Sequence, residues 1–231
     1  MKIFRTLAFV TAVSAFATGT FASTVDVKFI SSFPSTTIRI NGTEVVGSNP
    51  VNVAAGAFNM TGSNPSNASV PTSVIGSFIA WCLDVGAYLN TGTGTYGVNP
   101  DQVFTSYPVN TTAVERYFDA NFSNTIHLDG TRAAAFQVGL WQTIYTGDGE
   151  FSYSGVNATD SFIELVGGFV AAGLAHGGPR TWTLTYLESA SSQSLVTATP
   201  IPLPATGLLM LGVMGLGGIG VMVRRRRQTA V

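Results

Sequence analysis

Two side chains of this chain could react with each other if folding brings them together. One is Cys82, in "SFIAWCLDV"; the other is Gln137, in "AAAFQVGLWQTIY", 55 residues further on. The thiol is the only one in the sequence. It therefore has no intramolecular disulfide partner, and in an oxidising compartment it would be left exposed to chemistry. A glutamine on an apolar helical face must find partners, because a buried carboxamide without them costs about 1–3 kcal/mol. The plain readings are a small buried apolar cysteine and a glutamine bonded to loop backbone. A nucleophile–base pair would need His127 or His176. His127 lies in polar "NTIHLDG", and His176 follows an apolar helical run, where the helix dipole favours a cation; both read as surface histidines. One Cys and two distant His make no metal site, no cofactor is expected, and the chain does not read as an enzyme.

The elements that must position the pair can be read from pattern. "SFIAWCLDV" is a nearly continuous apolar run, which predicts a buried strand. On a helix, Ala133, Phe136, Gln137, Leu140, Trp141 and Ile144 share one stripe, so Gln137 faces a core, and Asp129 stands where it can cap that helix. "TTAVERYF" carries Thr112 three residues before Glu115, a capping-box spacing. "DSFIELVGGFVAAGLAHGG" predicts a helix capped by Asp160 and stopped at Gly177-Gly178-Pro179. Upstream, "VDVKFI" and "TTIRI" read as short strands, and "LNTGTGTYGVNP" as a loop. "TWTLTYL" alternates as a strand, and "SASSQSLVTAT" reads as a linker.

Around the pair, "AWCLDV" places an aromatic before the cysteine, and "FQVGLW" runs apolar-Gln-apolar-small-apolar-Trp. These resemble the two motifs of bacterial thioester domains, within roughly Phe78 to Tyr145. Gly139 stands where that family usually has Ala, and Phe136 where Thr is common. The resemblance implies that Cys82 supplies the sulfur and Gln137 the acyl group of an internal thioester, with Trp81 and Trp141 as packing aromatics of the motifs. An amine-bearing surface or matrix partner would then open the bond and be joined covalently to the protein.

Both ends carry addresses. "MKIFRTLAFVTAVSAFATGTFAS" has basic Lys2 and Arg5, an apolar run, and small residues before a cut after Ala22; it predicts a cleaved secretory signal peptide. At the other end, 16 mostly apolar residues, Leu208 to Val223, precede Arg224, Arg225, Arg226 and Arg227. With Ala205 to Gly207 the run reaches about 28 Å as a helix, close to a ~30 Å hydrocarbon core. The Arg run would keep its end cytoplasmic. Ile201, Pro202, Leu203, Pro204 and Ala205 resemble the VPLPA variant of the PEP-CTERM sorting signals handled by exosortases. "LPATG" also fits the signal of Gram-positive sortases, but the exosortase reading suits the layout better. The resemblance implies an exported protein, held in the inner membrane by its C-terminal helix before sorting to the surface or matrix.

Between the ends lie only Lys28, Arg39, Arg116, Arg132 and Arg180 against all 12 acids, a net charge of about −7. That excludes nucleic acid as a natural partner. Charged residues make up just 10% of the chain, and it holds 26 glycines, so Ser, Thr, Asn and Gly must supply the polar surface. The expectation is an α+β protein: a β-rich sandwich or barrel-like domain with a helical section between Asn110 and Gly178. Its organisation would be signal peptide 1–22, exported domain 23–188, linker 189–200 and sorting signal 201–231. The expected role is a covalent adhesin; the alternative is a passive structural protein of the surface or exopolysaccharide matrix.

Overall fold

A computed structural model describes residues 23–47, 49–99, 109–146, 149, 151–155 and 157–202. The expected signal peptide, the membrane helix and the sorting residues from Leu203 onward lie outside the described residues. Among the described residues no helix is long and apolar enough to cross a membrane.

Six strands close a barrel, in the order β1 (Thr24–Ser32), β4 (Phe58–Ser63), β5 (Gly76–Cys82), β9 (Leu195–Pro200), β8 (Trp182–Glu188) and β6 (Thr93–Val98). Each neighbouring pair is antiparallel, and β6 returns to β1 to seal the ring. Alternation sets the inner face: Val25 and Val27 of β1 are buried, as are Tyr96 and Val98 of β6. A separate sheet takes the order β3 (Val51–Ala55), β2 (Thr36–Asn41), β7 (Ser152–Ser154).

Three helices pack beside these sheets: α1 (Thr111–Asn121), α2 (Gly130–Ile144) and α3 (Asp160–Ala175). Helix α2 is central. Every side chain from Ala133 to Trp141 is buried, because α2 is covered by α1, α3 and the β3–β2 sheet together. Phe136 is the hinge of this packing. Its ring meets Trp81 of β5 at 4.6 Å, Tyr117 and Phe118 of α1 at 4.9 and 5.2 Å, and Phe169 of α3 at 6.1 Å. Gly139 makes room for α1, since a Cβ there would come within 2.5 Å of the Tyr117 hydroxyl, which donates to the Phe136 carbonyl at 2.8 Å. This is why glycine stands where the resemblance leads one to expect alanine.

Several local expectations change. The stretch 189–200 is not a linker throughout. Its second half is β9, whose Leu195 and Val196 are fully buried in the barrel. Without β9 the barrel would stay open between β5 and β8, a cost in unpaired backbone that the polar composition of "SASSQS" conceals. The glycine-rich "TGTYGV" is strand β6 rather than loop. Asn110, not Thr112, caps α1, accepting from Ala113 N, and Thr159, not Asp160, caps α3. Asp129 does cap α2, accepting from Thr131 N and Arg132 N. The helical section also holds the short strand β7; of the two expected β architectures, sandwich or barrel-like, the chain takes the closed barrel, with the three-stranded sheet beside it.

The start of β8 is latched to α1. One carboxylate oxygen of Asp119 accepts from Thr181 N, Thr181 Oγ1 and Trp182 N at 2.8–3.0 Å. The other pairs with Arg180 Nε at 3.0 Å, and Arg180 also reaches Glu115 at 2.7 Å. The position of β8 in turn fixes where the β8–β9 turn arrives.

Candidate functional site

Cys82 is the last residue of β5, and the strand's alternation sends its two final side chains opposite ways. Trp81 points to the helical layer, edge-on to Phe136 and Phe122. Cys82 points to a cavity on the other side. Strand β4 covers β5 only as far as Ala80, paired with Phe58, whereas β9 continues through Trp81 and Cys82. The edge of Cys82 facing away from β9 is thus left without a strand. Gln137 fills that place: its Oε1 accepts from Cys82 N at 2.9 Å, and its Nε2 donates to Cys82 O at 2.7 Å. The helix thereby supplies one carboxamide that substitutes for a missing strand, which is why a glutamine sits in an apolar stripe.

The structure places Gln137 against Cys82, but on its backbone N–H and C=O and not on its sulfur. The carboxamide beside the sulfur is that of Gln193. Cys82 Sγ donates to Gln193 Oε1 at 2.7 Å, and Gln193 Nε2 donates to the Asp84 carbonyl at 2.8 Å. Gln193 is held by the turn between β8 and β9. Its own N–H donates to Tyr88 O at 3.2 Å, and Ser194 O accepts from Leu83 N at 2.9 Å. On its other side, the buried Ser192 hydroxyl accepts from Asn90 N and from the Tyr96 hydroxyl at 2.9 and 2.8 Å. Sequence reasoning missed Gln193 because it lies in a run of small polar residues; the one local signal was its place two residues before the buried apolar pair Leu195–Val196.

Burial pushes the Cys82 thiol well above its ordinary pKa, and the carboxylate of Asp84 adds to the effect. The sulfur therefore keeps its proton at neutral pH. Asp84 itself is raised by burial, against a bond from Gly86 N at 2.6 Å.

A cavity of about 370 Å³ opens beside this group and is lined by Cys82, Gln137 and Gln193. Trp141 forms part of its wall, and the Trp141 Nε1 is buried with no hydrogen-bond partner among the described residues. Tyr88, 60% exposed, stands at the rim. Its hydroxyl packs over Gly47, whose φ of +82° and lack of Cβ admit it.

Neither histidine joins the site. His127 is buried against Phe33 at 4.5 Å, with its Nδ1 unpartnered among the described residues. His176 follows α3, in a charged cleft with Glu115, Asp119 and Arg180. Among the described residues no group of His, Cys, Asp and Glu could hold a metal ion. Ile201 and Pro202 are exposed at the end of the described chain; the other sorting residues and Arg224 to Arg227 lie beyond it.

No protein-family model and no curated protein matches the chain. Among solved structures it is similar to the N-terminal thioester domain of a surface protein from Clostridium perfringens, with a TM-score of 0.42 and 10% identity over 72% of this chain and 100% of that one. It is also similar to the N-terminal domain of the Streptococcus pyogenes pilus tip adhesin Cpa, with a TM-score of 0.41 and 10% identity over 75% and 96%. The Bacillus anthracis TIE protein gives a TM-score of 0.34 and 9% identity over 78% and 39%.

Proposed function

We infer that the chain is an exported surface-attachment module that forms an internal thioester between Cys82 and Gln193 and uses it once to capture an amine. The observation that carries this reading is the contact of the buried Cys82 Sγ with Oε1 of the partly buried Gln193 at 2.7 Å, in a mostly apolar site. The reacting carbon of the carboxamide lies one bond beyond that oxygen. Holding thiol and amide in this geometry supplies the positioning that an unreactive amide needs. In the forming step the sulfur bonds to the Gln193 carbonyl carbon, the C–N bond breaks, and the thiol proton leaves with the nitrogen as ammonia. Gln137 acts on the other side of Cys82. By binding the cysteine's N–H and C=O it fixes the backbone from which the sulfur projects, so it is a positioning residue in this reading and not the acyl donor.

Once the thioester exists, an incoming amine displaces the sulfur, and the protein is consumed rather than recycled. The signal peptide, the Ile201 to Ala205 motif and the Arg run support export and exosortase-type sorting of this module to the surface or matrix.

Intact mass of the exported protein tests the reading. It should be one ammonia lighter than its sequence. Methylamine should replace the deficit by an adduct one methylene heavier than the sequence and release one titratable thiol. Cys82→Ala and Gln193→Glu should each abolish the deficit, since a carboxylate is a far poorer acyl donor than the carboxamide. Full sequence mass with a free thiol would leave the passive matrix protein as the better reading. A deficit that survives Gln193→Ala and vanishes in a folded Gln137→Glu would return the acyl role to Gln137.

A further inference from the structure

The cavity beside the thiol has the properties of a filter for the attacking amine. An apolar cavity of ~150 Å³ accommodates benzene, so the 370 Å³ here has room for a stem larger than that ring. Its walls include Phe29, Ile40, Val51, Val53, Phe58 and Trp141, and among the described residues no Asp, Glu, Lys, Arg or His lines it. The carboxylate closest in sequence to the thiol, Asp84, is not part of the lining; one of its oxygens is taken by Gly86 N at 2.6 Å.

Two consequences follow for an amine that must reach Gln193 through this space. Loss of water with no carboxylate in exchange disfavours the ammonium and favours the neutral amine, which is the nucleophilic form. A second charge would be stripped of water with no ion to pair with, and a dense set of hydroxyls would outnumber the few groups in the wall that could bond them, chiefly Ser32, Asn52, Tyr88 and Trp141 Nε1, whereas each methylene of an apolar stem gains from burial.

Building on the thioester reading, we propose that this site selects a primary amine carried on an uncharged apolar stem and rejects polyamines and amino sugars. The amine nitrogen bonds to the Gln193 carbonyl carbon, the C–S bond breaks, and one amine proton passes to the Cys82 sulfur. The products are a secondary amide at position 193 and a free thiol. The stem stays in the cavity, which shields the new amide.

The test follows adduct formation by intact mass with methylamine, n-butylamine, 1,4-diaminobutane, glucosamine and Nα-acetyl-lysine N-methylamide, at matched free-base concentrations. The rate should rise about fourfold for each added methylene between methylamine and butylamine, as transfer of that group predicts. Diaminobutane and glucosamine should trail butylamine by at least about tenfold, the cost of burying one unpaired polar group. 1-Butanol, which has the stem without the amine, should slow methylamine by occupying the cavity. A lysine derivative as fast as butylamine supports a stem presented on a polypeptide; one that lags behind a fast butylamine supports a free alkylamine. Val53→Glu adds an acid to the wall from β3, an edge strand, and should shift preference toward diaminobutane while the ammonia deficit persists. Equal rates for all amines, in a protein that shows the deficit, would overturn this selectivity alone. Absence of the deficit would overturn the thioester reading and the selectivity with it.

Discussion

A bond between Cys82 and Gln193 would close a loop across a sequence separation of 111 residues, and its effect on stability can be worked out. Cross-linking removes loop-closure entropy from the unfolded chain, and for a loop of this length the chain-entropy relation gives about 5 kcal/mol at 25 °C, an upper value because such links often deliver less. Methylamine cuts the link without changing the sequence, so it isolates this contribution. With a urea slope of about 2 kcal/mol per M for a domain of this size, the unfolding midpoint should fall by up to about 2.5 M after treatment. Equilibrium unfolding followed by tryptophan fluorescence, with the mass shift checked on the same sample, measures it. Cys82→Ala should already sit at the lower midpoint and should not respond to methylamine. The reasoning fails if the opened and closed forms unfold at the same urea concentration, or if the Cys82→Ala protein shows the same methylamine-induced drop.

Other outcomes follow from the same geometry. Gln137→Leu keeps the volume but leaves Cys82 N–H and C=O buried and unpaired on that edge; at about 1–3 kcal/mol for each group, it should cost about 2–6 kcal/mol in urea unfolding. Gly139→Ala drives a Cβ into the Tyr117 hydroxyl and should cost about 1–3 kcal/mol; in a Tyr117→Phe background the same substitution should cost clearly less, a non-additivity that a double-mutant cycle reads directly. Burial lowers the pKa of His127 below its ordinary 6.5. The unfolded chain therefore takes up a proton near pH 6.5 that the folded one refuses, so stability should be flat above about pH 7.5 and fall as the pH drops through 6.5 toward the folded value. His127→Leu should remove that slope in urea midpoints measured from pH 8 to 5.

The periodic parts of the site were legible in the sequence. An apolar run around Cys82 is a buried strand because two-sided burial leaves no alternation to break it, and the 3.6-residue stripe of α2 turned Gln137 inward regardless of what it would meet. The Asp129 cap was equally local, since the groups it satisfies lie two and three residues away. The identity of each partner was not legible. Gln137 meets the backbone of Cys82 because β4 leaves β5 at Ala80, and that is a matter of register between two strands. Gln193 reaches the sulfur because β9 closes the barrel beside β5 and carries the preceding turn with it. Neither fact leaves a trace in the composition of "SASSQSL", whose small polar residues suit a solvated linker and a tightly bonded turn alike. The glycines of β6 misled in the same way, because the ladder to β1 and β8 stabilises a segment whose own propensity favours a loop. Burial is written in local periodicity. The pairing that decides which carboxamide touches the thiol is a long-range property of the closed barrel, and it exists only once every strand has found its neighbour.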